Sequence, residues 1–179
     1  MLNLAINDVK KLKKLSDYDL NIDTFITQDD PKNYYTVLTS LYKSYVNDGI
    51  FLTERKTDRK KFVMKVTFEK KHEVKDVAKL KSEVFNLMSI DSPYVLKPSE
   101  IYNFEDKLII VSEEMDHGSL DRVIKSYHKY YSEEFCKYTA LYIARGIRDL
   151  HALDIIHRDL KSDNVLGNSF GKIMLTDLG

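Results

Sequence analysis

The apolar residues of this chain change their spacing partway along, and that change limits the folds open to it. From residue 34 onward the repeat is that of strands. Phe62, Met64, Val66 and Phe68 alternate with Val63, Lys65 and Thr67, so the first set lines one side of a sheet and Lys65 stands with Val63 on the other. Later the repeat is helical, with Phe135, Tyr142, Ile143, Ile147 and Leu150 on one face. Strands gathered first and helices afterwards predict an α+β fold in two unequal layers. One helix interrupts the strand region, where Val77, Leu80, Val84 and Leu87 form an apolar stripe. Glu83 falls on that same inward side, and a carboxylate there needs a cationic partner. Lys79, four residues earlier, offers an ordinary surface mate.

Turn and capping residues set the boundaries. Apolar stretches flank Asn47-Asp48-Gly49, and an Asp-Gly pair favours the positive φ angles of a tight hairpin. Further strands are expected at 102–104 and 107–111, then a turn at Asp116-His117-Gly118. Ser119 can cap a short helix running through Lys125, and Ser132, followed by Glu133 and Glu134, suits the positive end of a longer one. The tail reads as a short strand at 165–166, a turn at 167–171 and a strand at 172–175. At the other end, Leu2, Ile6, Val9, Leu12 and Leu15 recur at helical spacing between lysines, which predicts an amphipathic helix packed on the following domain. A membrane-surface helix is the lesser reading, because Asp8, Asp17 and Asp19 dilute the basic charge.

Composition narrows the function classes. The 179 residues fit one domain or slightly more, and 43% apolar content argues against disorder. With 28 basic and 28 acidic residues, no net field points to nucleic acid. The longest apolar run, 108–111, has strand length, so no transmembrane segment is expected. A lone cysteine, Cys136, suits a reducing compartment, and a soluble cytoplasmic protein is expected. Of only 6 glycines, Gly49 alone lies in the first 117 positions, which nearly excludes a glycine-rich phosphate loop there.

The residues that carry chemistry cluster late. His157-Arg158-Asp159-Leu160-Lys161-Ser162-Asp163-Asn164 resembles the catalytic loop of the protein kinases, H-R-D-L-K-x-x-N. Phosphoryl transfer needs positioning, charge neutralisation and a group that orients the attacking hydroxyl. Asp159 can take that hydroxyl proton, Lys161 can reach the transferring phosphate, and Asn164 offers a neutral oxygen to Mg²⁺, a hard cation. Thirteen residues after Asn164, Asp177-Leu178-Gly179 resembles the D-F-G triplet, with leucine for phenylalanine and the metal-binding carboxylate intact. Phe62-Val63-Met64-Lys65 is similar to the V-A-I-K strand. The resemblance implies that Lys65 holds the α- and β-phosphates of ATP and pairs with Glu83, in preference to the Lys79 mate. Residues 111–120 resemble the hinge between kinase lobes. They imply adenine contacts from the backbone of Glu113 and Met115, with Ser112 as a small gatekeeper. Leu166 is the implied adenine floor, Leu41 part of its roof, and Gly49, Ile50 and Val63 further lining.

The resemblance covers residues 30–179 and is of the serine/threonine type, on account of Lys161. Within it, Asp30-Pro31-Lys32-Asn33-Tyr34-Tyr35-Thr36 and residues 157–166 are similar to the sterile-20 group, particularly the p21-activated kinases. It implies an extension over 1–33, a first lobe and hinge over 34–117, and a partial second lobe over 118–179 that stops at the D-F-G-like triplet. ATP and Mg²⁺ are the implied cofactors, and a protein bearing a serine or threonine hydroxyl is the implied substrate, with a regulatory protein as a further possible partner. Two departures stand against it. Tyr42, Ser44 and Asn47 occupy the positions of the family's phosphate-covering glycines, and the activation segment is missing. They motivate an alternative: a pseudokinase or scaffold with weak or no turnover.

Overall fold

In a computed structural model of the chain, the residues described are 26–43, 49–68, 86, 88–105, 107–127 and 132–178. A six-stranded sheet comes first, built from β1 (Ile26–Thr27), β2 (Tyr35–Lys43), β3 (Gly49–Arg55), β4 (Lys61–Phe68), β5 (Pro98–Phe104) and β6 (Lys107–Glu113). Its spatial order is β1-β5-β6-β4-β3-β2. All neighbours are antiparallel except β1, which joins β5 in parallel with Ile26 opposite Ile101. Strand alternation misses β1, because two residues carry no readable period.

Alternation along β4 sorts the two faces as expected. Phe62 and Met64 are buried with Tyr35, Tyr102, Ile109 and Val111, and Phe51 and Val66 pack against them. On the opposite face Lys65 lies between Ile50 and Ile110, and Val63 between Leu52 and Ser112. That second face carries a smaller cluster, Ile101 and Leu108 with Ile26, Met88 and Ile110. The predicted helix over Val77 to Leu87 falls almost wholly outside the described residues, as do the 2–15 helix and the turn residues Asn47 and Asp48. Gly49 differs from its expected place in a turn. It opens β3 opposite Lys43 and Val66, where an added Cβ would lie 2.7 Å from the Phe51 ring. Glycine is needed there for close packing of an aromatic ring, not for a positive φ.

Beyond β6 the chain forms a second, mainly helical unit. It comprises β7 (Gly118–Ser119), α1 (Leu120–Tyr127), α2 (Glu133–Ala152), β8 (Val165–Gly167) and β9 (Ile173–Leu175), the three short strands making a sheet in that order. Both expected caps form: Ser119 Oγ accepts from the Arg122 amide at 3.2 Å, and Ser132 Oγ from the Phe135 amide at 3.1 Å. Helix α2 lays Leu150, Ile143 and Ile147 on Ile90, Val95, Val165 and Leu175. Gly146 lets α2 approach β9, since a Cβ there would sit 2.8 Å from Leu175 Cδ1 and 3.0 Å from the Tyr94 carbonyl.

Residues 94–96 seam the two units. Val95 bridges Leu175 in parallel, the Leu175 amide donates to the Tyr94 carbonyl at 2.8 Å, and the Leu96 amide donates to the Leu175 carbonyl at 2.7 Å. The seam fixes where β9, and so the residues just after it, meet the sheet.

Candidate active site

The chemistry-bearing residues converge where the Lys65 face of the sheet meets the loops around β8 and β9. Lys65 Nζ donates to Asp177 Oδ1 at 2.5 Å, a contact across 112 positions of sequence. Lys161 Nζ donates to Asp159 Oδ2 at 2.7 Å. Asn164, buried at 5% exposure, donates its amide to the Asp159 carbonyl oxygen at 2.8 Å and to Asp159 Oδ2 at 3.1 Å. Its side-chain oxygen is thereby turned from Asp159. The Thr176 amide donates to the Asn164 carbonyl at 3.0 Å, which brings the chain beside Asn164 one residue before Asp177.

Local backbone conformation makes these contacts possible. Residues 162–164 form one 3-10 turn after an extended Lys161, and that turn swings Asn164 back under Asp159. Arg158 and Asp177 both adopt left-handed conformations, with φ of 65° and 56°. Non-glycine residues rarely do so, and such strain concentrates at functional sites. Leu178, in place of the family's phenylalanine, packs against the Leu150 and Leu175 cluster.

Charge alternates through the site. The Lys161 hydrogen bond holds the Asp159 carboxyl below its ordinary range, with smaller help from the Asn164 amide and from His157. Reciprocally, Asp159 raises the Lys161 ammonium, and Asp177 adds a weaker attraction to the same group. Lys65, Asp177, Lys161 and Asp159 therefore read as plus, minus, plus, minus.

Of the residues expected to line the adenine, Ile50 and Val63 share the Lys65 face through the strand register. Leu166 lies in β8 opposite Ser119 and Met174. Leu41 is 52% exposed, at a register shift in β2 between Ser40 and Tyr42. Met115 is buried at 5% exposure, and its carbonyl accepts from the Gly118 amide at 2.8 Å, forming the expected turn. Glu83, the implied partner of Lys65, lies outside the described residues.

Sequence reasoning missed how the segment expected to be the hinge is tied down. Glu113, read for its backbone alone, also accepts a hydrogen bond from Lys172 Nζ at 3.1 Å. Asp116 Oδ1 accepts from the Ser169 amide at 2.7 Å, and Ser169 lowers the Asp116 pKa. These partners are 53 and 59 positions away, and no spacing rule links them.

A sheet carrying an inward lysine, tied by an ion pair to a carboxylate beside a His-Arg-Asp loop, is the layout of a two-lobed phosphotransferase. The chain belongs to the protein kinase family: the model for the protein kinase domain matches residues 49–179. It is similar to serine/threonine-protein kinase cot-1 of Neurospora crassa, 30% identical over 158 residues, covering 86% of this chain and 25% of that protein. Ribosomal protein S6 kinase alpha-1 of Homo sapiens is 33% identical over 118 residues, 66% of this chain and 16% of the relative. Cell division control protein 7 of Schizosaccharomyces pombe is 33% identical over 104 residues, 58% of this chain and 10% of the relative. The chain thus spans a quarter or less of the length of these three relatives. No helix among the described residues is long and apolar enough to cross a membrane.

Proposed function

We propose that this chain carries the phosphoryl-transfer site of an ATP-dependent serine/threonine protein kinase. Asp159 orients a substrate serine or threonine hydroxyl and receives its proton as the oxygen attacks the γ-phosphorus of ATP and the bond to the bridging oxygen breaks. Lys161 neutralises charge on the transferring phosphoryl group. Lys65 holds the α- and β-phosphates, with Glu83 as its further partner. Ile50, Val63, Leu166 and Leu41 line the adenine, and the Glu113 and Met115 backbone meets its edge. The observation that carries this reading is the Lys65–Asp177 ion pair next to the Lys161–Asp159–Asn164 cluster, which joins three separate sequence motifs in one place.

Mg²⁺ fits the donor set, because the Asp177 carboxylate and the Asn164 side-chain oxygen, whose amide nitrogen is the atom bound to Asp159, are hard oxygen ligands. Bound there, it would neutralise charge on the β- and γ-phosphates. The protein's residues 30–36 and 157–166 support placement beside the sterile-20 group, and the lone cysteine supports a cytoplasmic setting.

Incubation with labelled ATP, Mg²⁺ and a generic basic substrate protein tests the reading. Label is expected on serine or threonine, and Asp159→Ala lowers the rate by about 10²- to 10⁴-fold. Equal labelling by the Asp159→Ala chain overturns it. A second reading, nucleotide binding without turnover, is favoured by Tyr42, which is 60% exposed at a position where the family carries a glycine. A rise in unfolding temperature with Mg-ATP but no label would select it.

A further inference from the structure

Past Glu113, where β6 makes its last pair with Phe62 of β4, the chain leaves the sheet and is fastened to one turn. Lys172 Nζ donates to Glu113 Oε1 and Oε2 at 3.2 and 3.1 Å, the Ser169 amide to Asp116 Oδ1 at 2.7 Å, and the His117 amide to the Gly167 carbonyl at 3.1 Å. These partners lie in residues 167–172, the end of β8 and its connection to β9. That connection is built more firmly than an exposed hairpin requires. Asn168, 5% exposed, accepts from the Phe170 and Lys172 amides at 3.1 and 3.0 Å, and its backbone amide donates to the Lys172 carbonyl at 3.1 Å. Gly171, at a φ of 78° that favours glycine, has its carbonyl held by the Tyr138 hydroxyl of α2 at 3.1 Å. A buried and satisfied polar network of this kind rigidifies the backbone around it.

We infer that this turn is a positioning element for the adenine edge of a bound nucleotide, with Lys172 as a positioning residue that acts through Glu113. The inference rests on the reading of the Glu113 and Met115 backbone as the groups that meet that edge. An adenine edge is recognised by carbonyl and amide groups held at hydrogen-bond distance, about 2.7–3.2 Å, so a small swing of the segment breaks the fit. The turn is placed to prevent such a swing, because β8 also carries Leu166, the proposed adenine floor, between Ser119 and Met174. Edge and floor are thereby fixed to the same rigid piece. A role in stability does not account for the Lys172 contact. Glu113 and Lys172 are 51% and 49% exposed, a setting in which an ion pair adds little. The two units are moreover already joined at the 94–96 seam.

Titration calorimetry compares Mg-ATP with Mg-ITP, which has the same ribose and phosphates but an oxygen in place of the adenine amino group. Lys172→Met keeps the aliphatic stem and removes the charge. It is expected to weaken Mg-ATP about three- to fivefold, near the upper limit for a half-exposed ion pair, and to leave Mg-ITP unchanged. Lys172→Arg, which retains the ion pair, is expected to bind both nucleotides as the unaltered chain does. Unchanged Mg-ATP affinity in Lys172→Met, equal weakening of both nucleotides, or the same loss in Lys172→Arg overturns the inference and leaves the nucleotide site standing. Failure of the unaltered chain to bind Mg-ATP overturns the reading of the site and the inference with it. Amide hydrogen exchange without nucleotide tests the turn by itself. Residues 114–117 are expected to exchange at least about threefold faster in Lys172→Met, with 109–111 unchanged. Unchanged exchange at 114–117 shows that Lys172 does not hold the segment, and overturns the inference whether or not a nucleotide binds.

Discussion

Asp159 and Lys161 are each about half exposed, at 53% and 50%, so their ion pair contributes little to stability. Its consequence is the charge state of Asp159. Because the carboxyl is held below its ordinary value, the group stays ionised at every pH above that lowered value. Whatever stability the pair adds is present above the unfolded-state pKa and is lost only as pH falls through the folded one. A carbon-detected NMR titration should place the Asp159 midpoint below that of an ordinary aspartate, and Lys161→Met should move it upward. An unmoved midpoint would show that Lys161 is not the cause. Lys65 and Asp177 are likewise 45% exposed each. Lys65→Met is therefore expected to cost no more than about 1 kcal/mol by urea unfolding, while weakening nucleotide binding at least tenfold by titration calorimetry. A large stability loss with unchanged nucleotide affinity would assign Lys65 to the fold.

The elements owe their placement to a few positions where local rules and packing agree. Strand β4 does two jobs through its two-residue period: Phe62 and Met64 fill the outer cluster while Lys65 turns to the site. Helix α2 depends on Ser132 at its start and Gly146 in its interior. Ser132→Ala removes the Phe135 amide's acceptor and should cost about 0.5–2 kcal/mol. Gly146→Ala runs against helix propensity, which favours alanine by about 1 kcal/mol. The added methyl nevertheless meets Leu175 and the Tyr94 carbonyl, so a net loss of about 1–3 kcal/mol is expected from overpacking. Chemical denaturation measures both, and a stabilised Gly146→Ala chain would show that α2 can shift away from β9.

At the scale of the molecule, the seam at residues 94–96 joins the sheet to the helical unit and sets the route of the chain into Asp177. Leu175 is central to it, being 1% exposed, bridged to Val95 and packed on α2. Leu175→Ala should cost about 2–5 kcal/mol. Because the seam couples the units, circular dichroism and tyrosine fluorescence should report one coincident urea transition in the unaltered chain. Two separated transitions would mean that the units fold independently.

The sequence alone was sufficient for the α+β class, both serine caps, the two faces of β4 and the motif around Asp159, because each rests on interactions within a few residues. It also supplied Lys65, Asn164 and Asp177 individually. Only the tertiary structure joined Lys65 to Asp177, tied Glu113 to Lys172, added β1 to the sheet and moved Gly49 from a turn into a strand. Those outcomes depend on pairings across dozens of positions and on whether a ring such as Phe51 leaves room for a Cβ. Periodicity carries neither kind of information, since it records which side of an element a residue takes but not what meets it there.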